Sequence, residues 1–373
     1  MITFSQDIST TSLLMAYNNN VVRFTSDTIS KTILNATIGF NGVTAIIYPQ
    51  PDGVFYFNFL EWIKPLINTK NFVDTLNPDI DGTDYETLTY PDSGFLNSIT
   101  TFTIQFTDDT TETATRNLSY IAGVEQLETY KKNVTQTGSS IVALPLFPQT
   151  SDRYYAKYWE GFPFDITFIQ KTPIDLDIEN TTSGLDWLFD ERGNITRLFF
   201  SDGRTDESIN DFLPIAIGRN VLSWLDKFIV VDKEDVCDGA YFKWVNNYGG
   251  YSYWKFPNFY QRNQTTRAIG EINTDFENLD NTFSQVSQLG TEAGNRIAVN
   301  SDILSTEEFN LLKTILTSPK IYYFVGEPFA RASANDWVEV RQITTSHRIR
   351  NFKNEPNSIV CEFELPDNYI QSL

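Results

Sequence analysis

At 373 residues, with hydrophobic side chains making up 41%, the chain suits two or three domains with cores of their own and is too apolar to be a disordered tail. No apolar run approaches the roughly 18 to 20 residues of a bilayer span. A formal net charge of -20 repels phosphate backbones, which argues against a nucleic-acid binder. The first eleven residues are polar, with no basic stretch followed by an apolar one, and predict no secretory leader. From there Phe, Tyr, Thr and Ile recur in short alternating runs broken by Asn, Asp and Gly, the pattern of many short strands. Residues 21–25, 33–40, 43–48 and 54–59 read as strands, with Asn41-Gly42 as a type I′ turn signal, so the opening reads as a β-meander. A short helix at 59–67, interrupted at Pro65, and a hairpin formed by 99–107 and 111–118 around Asp108-Asp109-Thr110 complete a first domain over 1–138.

A second β domain is expected over 139–258, with strands at 164–170, 185–189, 195–200 and 228–231. It ends in an aromatic hairpin in which Tyr241, Phe242 and Trp244 precede Asn247-Tyr248-Gly249-Gly250 and Tyr251, Tyr253 and Trp254 follow it. Its register stays open, because a two-residue Gly-Gly loop and a longer one both fit. The remainder, 259–373, begins with a polar stretch read as a long arm with a weak helix at 275–288. The clearest helix follows at 306–317, where Ser305 and Glu308 form a capping box, Phe309, Leu312, Ile315 and Leu316 make an apolar stripe, and Ser318-Pro319 is the stop. Strands at 321–325, 337–343 and 359–365 then give a small C-terminal α+β unit. The expected fold class is mainly β: two β-sandwich-like domains plus that unit, with no internal repeat.

Several segments resemble a family of tail structural proteins of phages and prophages of Bacteroidetes hosts. The resemblance is densest in Val236-Cys237-Asp238-Gly239-Ala240-Tyr241-Phe242-Lys243-Trp244-Val245-Asn246-Asn247-Tyr248-Gly249-Gly250-Tyr251-Ser252-Tyr253-Trp254. Gly161-Phe162-Pro163-Phe164 and the ending from Leu304-Ser305-Thr306-Glu307-Glu308 through the helix to Ser318-Pro319-Lys320-Ile321-Tyr322 support it. The resemblance implies a virion role in the tail tip, baseplate or a fibre base, in contact with other copies or other tail proteins, with the chain made in host cytoplasm. It carries over no catalytic residue, and the aromatic ribbon reads first as scaffold.

Among the side chains that could carry chemistry, Asp79, Asp81, Asp84 and Glu86 follow Asn77-Pro78 in a partial imitation of a calcium loop, which lacks the bidentate Glu because Leu88 stands at the twelfth place. A solvated acidic turn is the plainer reading, so no cofactor is expected, with Ca²⁺ as the alternative. Tyr241, Trp244, Tyr251, Tyr253 and Trp254 fit a core, a subunit interface or a glycan contact, in that order. Arg348 and Arg350, with Lys353, form a basic cluster that could dock an acidic neighbour or sit solvated. Pairs such as Asp186 with Asp190 or Asp206 with Glu207 are what a chain with 48 acidic residues produces by chance, and the single His347 has no nucleophile motif beside it. Cys237 and Cys361 show no metal-ligand spacing. A structural protein is therefore expected, not an enzyme, with a receptor- or glycan-binding module and a tail-borne polysaccharide-degrading enzyme as the alternatives.

Overall fold

The structure is a computed structural model that describes residues 1–75, 77, 87–89, 94–125, 142–143, 153–189, 193–204, 213–235, 238–257, 260–273, 286–344, 356–367 and 369. Among these residues the fold is mainly β, with five sheets and little helix. The N-terminal region is a sandwich. A three-stranded sheet in the order Ile2–Gln6, Val21–Ser26, Phe55–Asn58 faces a five-stranded sheet in the order Leu13–Met15, Thr111–Ile121, Phe95–Phe106, Ile33–Phe40, Val43–Ile47. Each strand turns alternate residues inward, and Phe24 and Phe4 of one sheet meet Phe102 of the other at ring separations of 5.1 and 5.3 Å. The opening is not a meander. The Ile33–Phe40/Val43–Ile47 hairpin belongs to one sheet, while the strands on either side of it pair with each other in the opposite sheet. Its turn has Asn41 and Gly42 both at positive φ, 45° and 80°, as a type I′ turn requires.

The rest of the chain surrounds a second core that runs without interruption from Leu13 to Phe363. One of its sheets is four-stranded, in the order Val142–Ala143, Pro163–Ile169, Ile195–Asp202, Thr87–Thr89. Another is five-stranded, in the order Arg153–Trp159, Lys227–Glu234, Gly218–Trp224, Leu176–Asn180, Leu185–Phe189, with its first two strands parallel. The largest has seven strands: Tyr251–Phe256, Ala240–Val245, Ile321–Phe324, Trp337–Gln342, Val360–Glu364, Val286–Asn300, Tyr260–Asn273. Its two edge strands are consecutive in the chain. Laid flat, six inter-strand spacings would separate them by about 29 Å, yet the four residue steps from Phe256 to Tyr260 reach at most about 14 Å. The sheet must therefore curl over on itself, and Phe242 of one half indeed packs on Phe363 of the other at 4.9 Å. The boundary expected at residue 258 thus falls inside one sheet and one core; the border expected near 138 lies outside the described residues.

The helix begins at the expected residue. Thr306–Leu312 is α-helical and Lys313–Thr317 continues as a 3-10 turn, with both hydrogen bonds of the Ser305/Glu308 capping box formed. It leans on strand Arg153–Trp159, where Lys157 meets Glu308 at 2.5 Å. The earlier helix shrinks to Leu60–Ile63, ahead of Pro65. The helix expected at 275–288 is corrected where it is described: residues 286–288 open a 15-residue strand, whose β-branched and small residues pair along the equally polar strand before it, and residues 275–285 lie outside the described residues.

Candidate functional site

The aromatic hairpin closes with a five-residue connection, Asn246 to Gly250, and pairs Val245 with Tyr251, Lys243 with Tyr253 and Tyr241 with Lys255. Because cross-strand partners share a face, Tyr241, Lys243, Tyr251, Tyr253 and Lys255 lie on one side, and Phe242, Trp244, Ser252 and Trp254 on the other. Both sides are covered: Tyr241, Trp244, Tyr251, Tyr253 and Trp254 are all buried. Trp244 donates its indole N–H to Thr314 Oγ1 at 2.9 Å, and Trp254 packs edge-on against Trp159. None of the five rings presents a free face to a sugar or to another subunit.

Burying the first side brings charge into the core. Lys243 and Arg197 are almost wholly sealed from solvent, and so are Asp74 and Asp165. Arg197 binds Asp165 through Nη2 to Oδ1 at 2.7 Å and Nε to Oδ2 at 2.9 Å, and its Nη1 reaches Asp74 Oδ1 at 2.9 Å. Lys243 Nζ takes the other oxygen of Asp74 at 2.7 Å. Tyr253 donates its hydroxyl to Asp165. Aromatic faces fill the remaining space: the Lys243 ammonium lies 4.2 Å from the Trp337 ring centre, and the Arg197 guanidinium 4.7 Å from that of Tyr251. Two cations and two carboxylates cancel, and every charge has a partner.

The electrostatics follow from that pairing. Arg197 and Lys243 outweigh the burial of Asp74 and hold its carboxyl far below the ordinary carboxylate range. Burial pushes the Lys243 ammonium down, with Asp74 opposing the shift and Arg197 adding to it. The Tyr253 and Tyr241 hydroxyls are driven well above the usual phenol range, mainly by burial. Such hydroxyls stay protonated, and Tyr241 donates to the Pro163 carbonyl at 2.8 Å.

The network draws on every part of the chain. Asp74 comes from the segment between the short helix and the later strands of the N-terminal sandwich, Asp165 and Arg197 from neighbouring strands of the four-stranded sheet, and Lys243 from the hairpin. Tyr251 and Tyr322 both donate to the Phe72 carbonyl at 3.1 Å, tying the same segment to the seven-stranded sheet. Sequence reasoning passed over Arg197, Asp165, Asp74 and Lys243. The signal available was a charge among apolar residues within a strand, Asp165 in Pro163–Ile169 and Arg197 in Ile195–Asp202.

A second feature is exposed. Strands Tyr260–Asn273 and Val286–Asn300 pair along their length, but only residues 296–300 of the latter also pair with Val360–Glu364. The remainder, from Gln264 opposite Asn295 to Asn273 opposite Val286, extends past that neighbour as a two-stranded ribbon of about 30 Å. Ile269, Ile272, Val286 and Leu289 on it are 50%, 49%, 39% and 37% exposed. The ribbon lies within residues 259–300, the stretch expected from sequence as a long arm.

Asp79, Asp81, Asp84, Glu86, Arg348 and Arg350 lie outside the described residues, as do Cys237, His347, Asp190, Asp206 and Glu207. Asn77 is described and accepts from the Ala334 amide at 2.7 Å. Among the described residues no group of His, Cys, Asp and Glu is arranged to hold a metal ion. Asp186 lies beside Asp175, Asp177 and Glu179 around a groove of about 440 Å³. Cys361 is a buried free thiol that burial pushes up to about 12.

No protein-family model matches the chain, and no curated protein matches it either. Among solved structures, the fibronectin(III)-like modules of Clostridium thermocellum CbhA align with 63% of this chain and 95% of theirs, at 6% identity and a TM-score of 0.20.

Proposed function

We propose that this chain is a structural component of a tailed-phage virion, in the tail-tip or baseplate region, that works by assembling with copies of itself and with other tail proteins. The observation that carries the reading is the ribbon from Gln264 to Asn273 and Val286 to Asn295. A two-stranded ribbon with no third strand beside it is marginal in water, and this one leaves four aliphatic side chains between about a third and a half exposed, so it fits a piece completed by a neighbour. The buried charges support a mechanical role. They join three parts of the chain and engage one another, as a scaffold under load requires, and are not turned toward a cleft. The sequence resemblance supplies the virion context.

The test is localisation. Antibodies raised against the recombinant chain, applied with gold labels to particles released from a lysogen carrying the gene, are expected to mark the distal end of the tail in electron micrographs. Gold absent from the particles, or confined to the heads, would overturn the reading.

A further inference from the structure

Where the N-terminal sandwich meets the turn of the aromatic hairpin there is a cleft of about 590 Å³, within the roughly 300 to 1,000 Å³ of small-molecule sites. Tyr17 and Phe72 line it with rings, Asn68 is hydrogen-bonded to both, and Asn71, Asn247 and Thr317 complete its polar lining. In a chain with 48 acidic residues, none stands among the described residues that line it. Its one cation, Lys320, is engaged by Glu339 at 2.7 Å. Among the described lining residues a charged ligand would find no unengaged counter-charge.

The hydrogen-bonding groups are amides and hydroxyls, and part of their capacity is open. Asn247 accepts the Thr317 hydroxyl on Oδ1 at 3.2 Å, which leaves its NH₂ group for a ligand. Tyr17 accepts from Asn68 Nδ2 at 3.4 Å and keeps its own proton to donate. The Asn71 side chain is exposed at the rim and makes no hydrogen bond among the described residues. The wall that carries it is held in place. Asn68, Asn71 and Phe72 have φ of 56°, 53° and 55°, a left-handed conformation that is uncommon for Asn and costly for Phe. Phe72 is fixed there from both ends. Its N–H donates to Asn68 Oδ1 at 2.8 Å, and its carbonyl takes the Tyr251 and Tyr322 hydroxyls. Strain held by several contacts on the wall of a concave site is the arrangement of a preformed binding site.

We infer that this cleft binds a short neutral saccharide, with a sugar's C–H face on the Tyr17 and Phe72 rings and its hydroxyls on Asn71, Asn247 and Tyr17. A sugar ring offers an apolar face and a rim of groups that both donate and accept, and amide side chains answer both in one plane. This site is separate from the hairpin rings and from the ribbon, and it stands whether or not the chain belongs to a virion.

The experiment is saturation-transfer NMR on the intact chain with a panel of glucose, galactose, mannose, N-acetylglucosamine and their neutral disaccharides, against glucuronic acid and sialic acid. At least one neutral sugar is expected to receive saturation and both acids to receive none. Asn71→Gly, which removes the exposed amide while keeping its left-handed backbone accessible, is expected to weaken binding about tenfold, the loss of one or two hydrogen bonds. Asn247→Ala, read in parallel with its thermal unfolding, is expected to do the same at an unchanged melting temperature. A silent neutral panel, equal binding of the acids, or neutral-sugar binding untouched by both variants would each overturn the inference.

Discussion

At the scale of single residues, the four-charge cluster makes the sharpest demands, because a buried charge that loses its partner costs far more than a surface ion pair yields. Asp74→Asn leaves Lys243 and part of Arg197 facing a neutral amide inside a closed core, and it is expected to cost about 3 to 5 kcal/mol in unfolding free energy, read from denaturant midpoints. Acid titration tests the same contact. Asp74 has its carboxyl depressed in the folded state, so its contribution is complete above the unfolded value of roughly 4 and is lost as pH falls below it toward the folded value. The stability gap between wild type and Asp74→Asn should therefore be constant from neutrality to about pH 5 and should narrow below pH 4. A gap that held constant down to pH 2 would show that Asp74 does not titrate with the cluster. Little of this was legible in the sequence. The aromatic residues of the hairpin announce a packed ribbon, but nothing local marks Lys243 among them as buried, and the register that puts it opposite Tyr253 sets it on the face of Tyr241 and Tyr251. Its partners Asp74, Asp165 and Arg197 stand 169, 78 and 46 positions away, and no local pattern links them.

At the scale of elements, whatever depends on neighbours in the chain was readable. The Asn41-Gly42 turn, the hairpin of Phe95–Phe106 with Thr111–Ile121 and the capped helix at Thr306 all formed where alternation, turn residues and the capping box put them. Strands were missed where one face carried polar residues to solvent on both sides, as in Tyr260–Asn273, or where pairing was parallel and came from afar, as in Leu13–Met15 with Thr111–Ile121. Two elements yield tests. Ser305→Ala removes one capping bond and is expected to cost about 1 kcal/mol. Glu308→Ala removes the reciprocal bond and also one of the two carboxylates on Lys157, the other being Glu234 at 2.6 Å, so its cost should exceed that of Ser305→Ala in the same denaturation assay. Equal costs would mean that the Lys157 contact contributes nothing. Gly249, at φ 86°, turns the hairpin against Ala122, and a Cβ there would stand 2.6 Å from the Ala122 carbonyl oxygen. Gly249→Ala combines backbone strain with that clash and is expected to lower the melting temperature and to loosen the join between sandwich and hairpin, detected as faster amide exchange at Val124, whose N–H bonds to the Asn247 carbonyl.

At the scale of the whole molecule, two parts stand apart: a body whose cores are closed by aromatic packing and paired charge, and a ribbon with no core of its own. A net charge of -20 keeps copies of the body apart at low ionic strength, so association is expected at a place where charge is sparse and apolar area is exposed. The described ribbon from Gln264 to Asn273 and Val286 to Asn295 carries Arg267, Glu271 and Glu292 as its only charges and meets that description. The double variant Ile272→Lys, Leu289→Lys places two cations on it without touching either core, because both side chains are already exposed. Light scattering on the separated protein is expected to give a mass of several chains for the wild type, rising with salt as the bodies are screened, and the mass of one chain for the variant, at an unchanged melting temperature. A wild type that stays a single chain at every concentration and salt would remove the ribbon as a self-assembly element. A variant that keeps its partners would move the interface elsewhere on the body. The outcome turns on a balance: screened repulsion falls as salt rises, burial of the aliphatic side chains does not, and the ribbon offers the second while carrying few charges of its own.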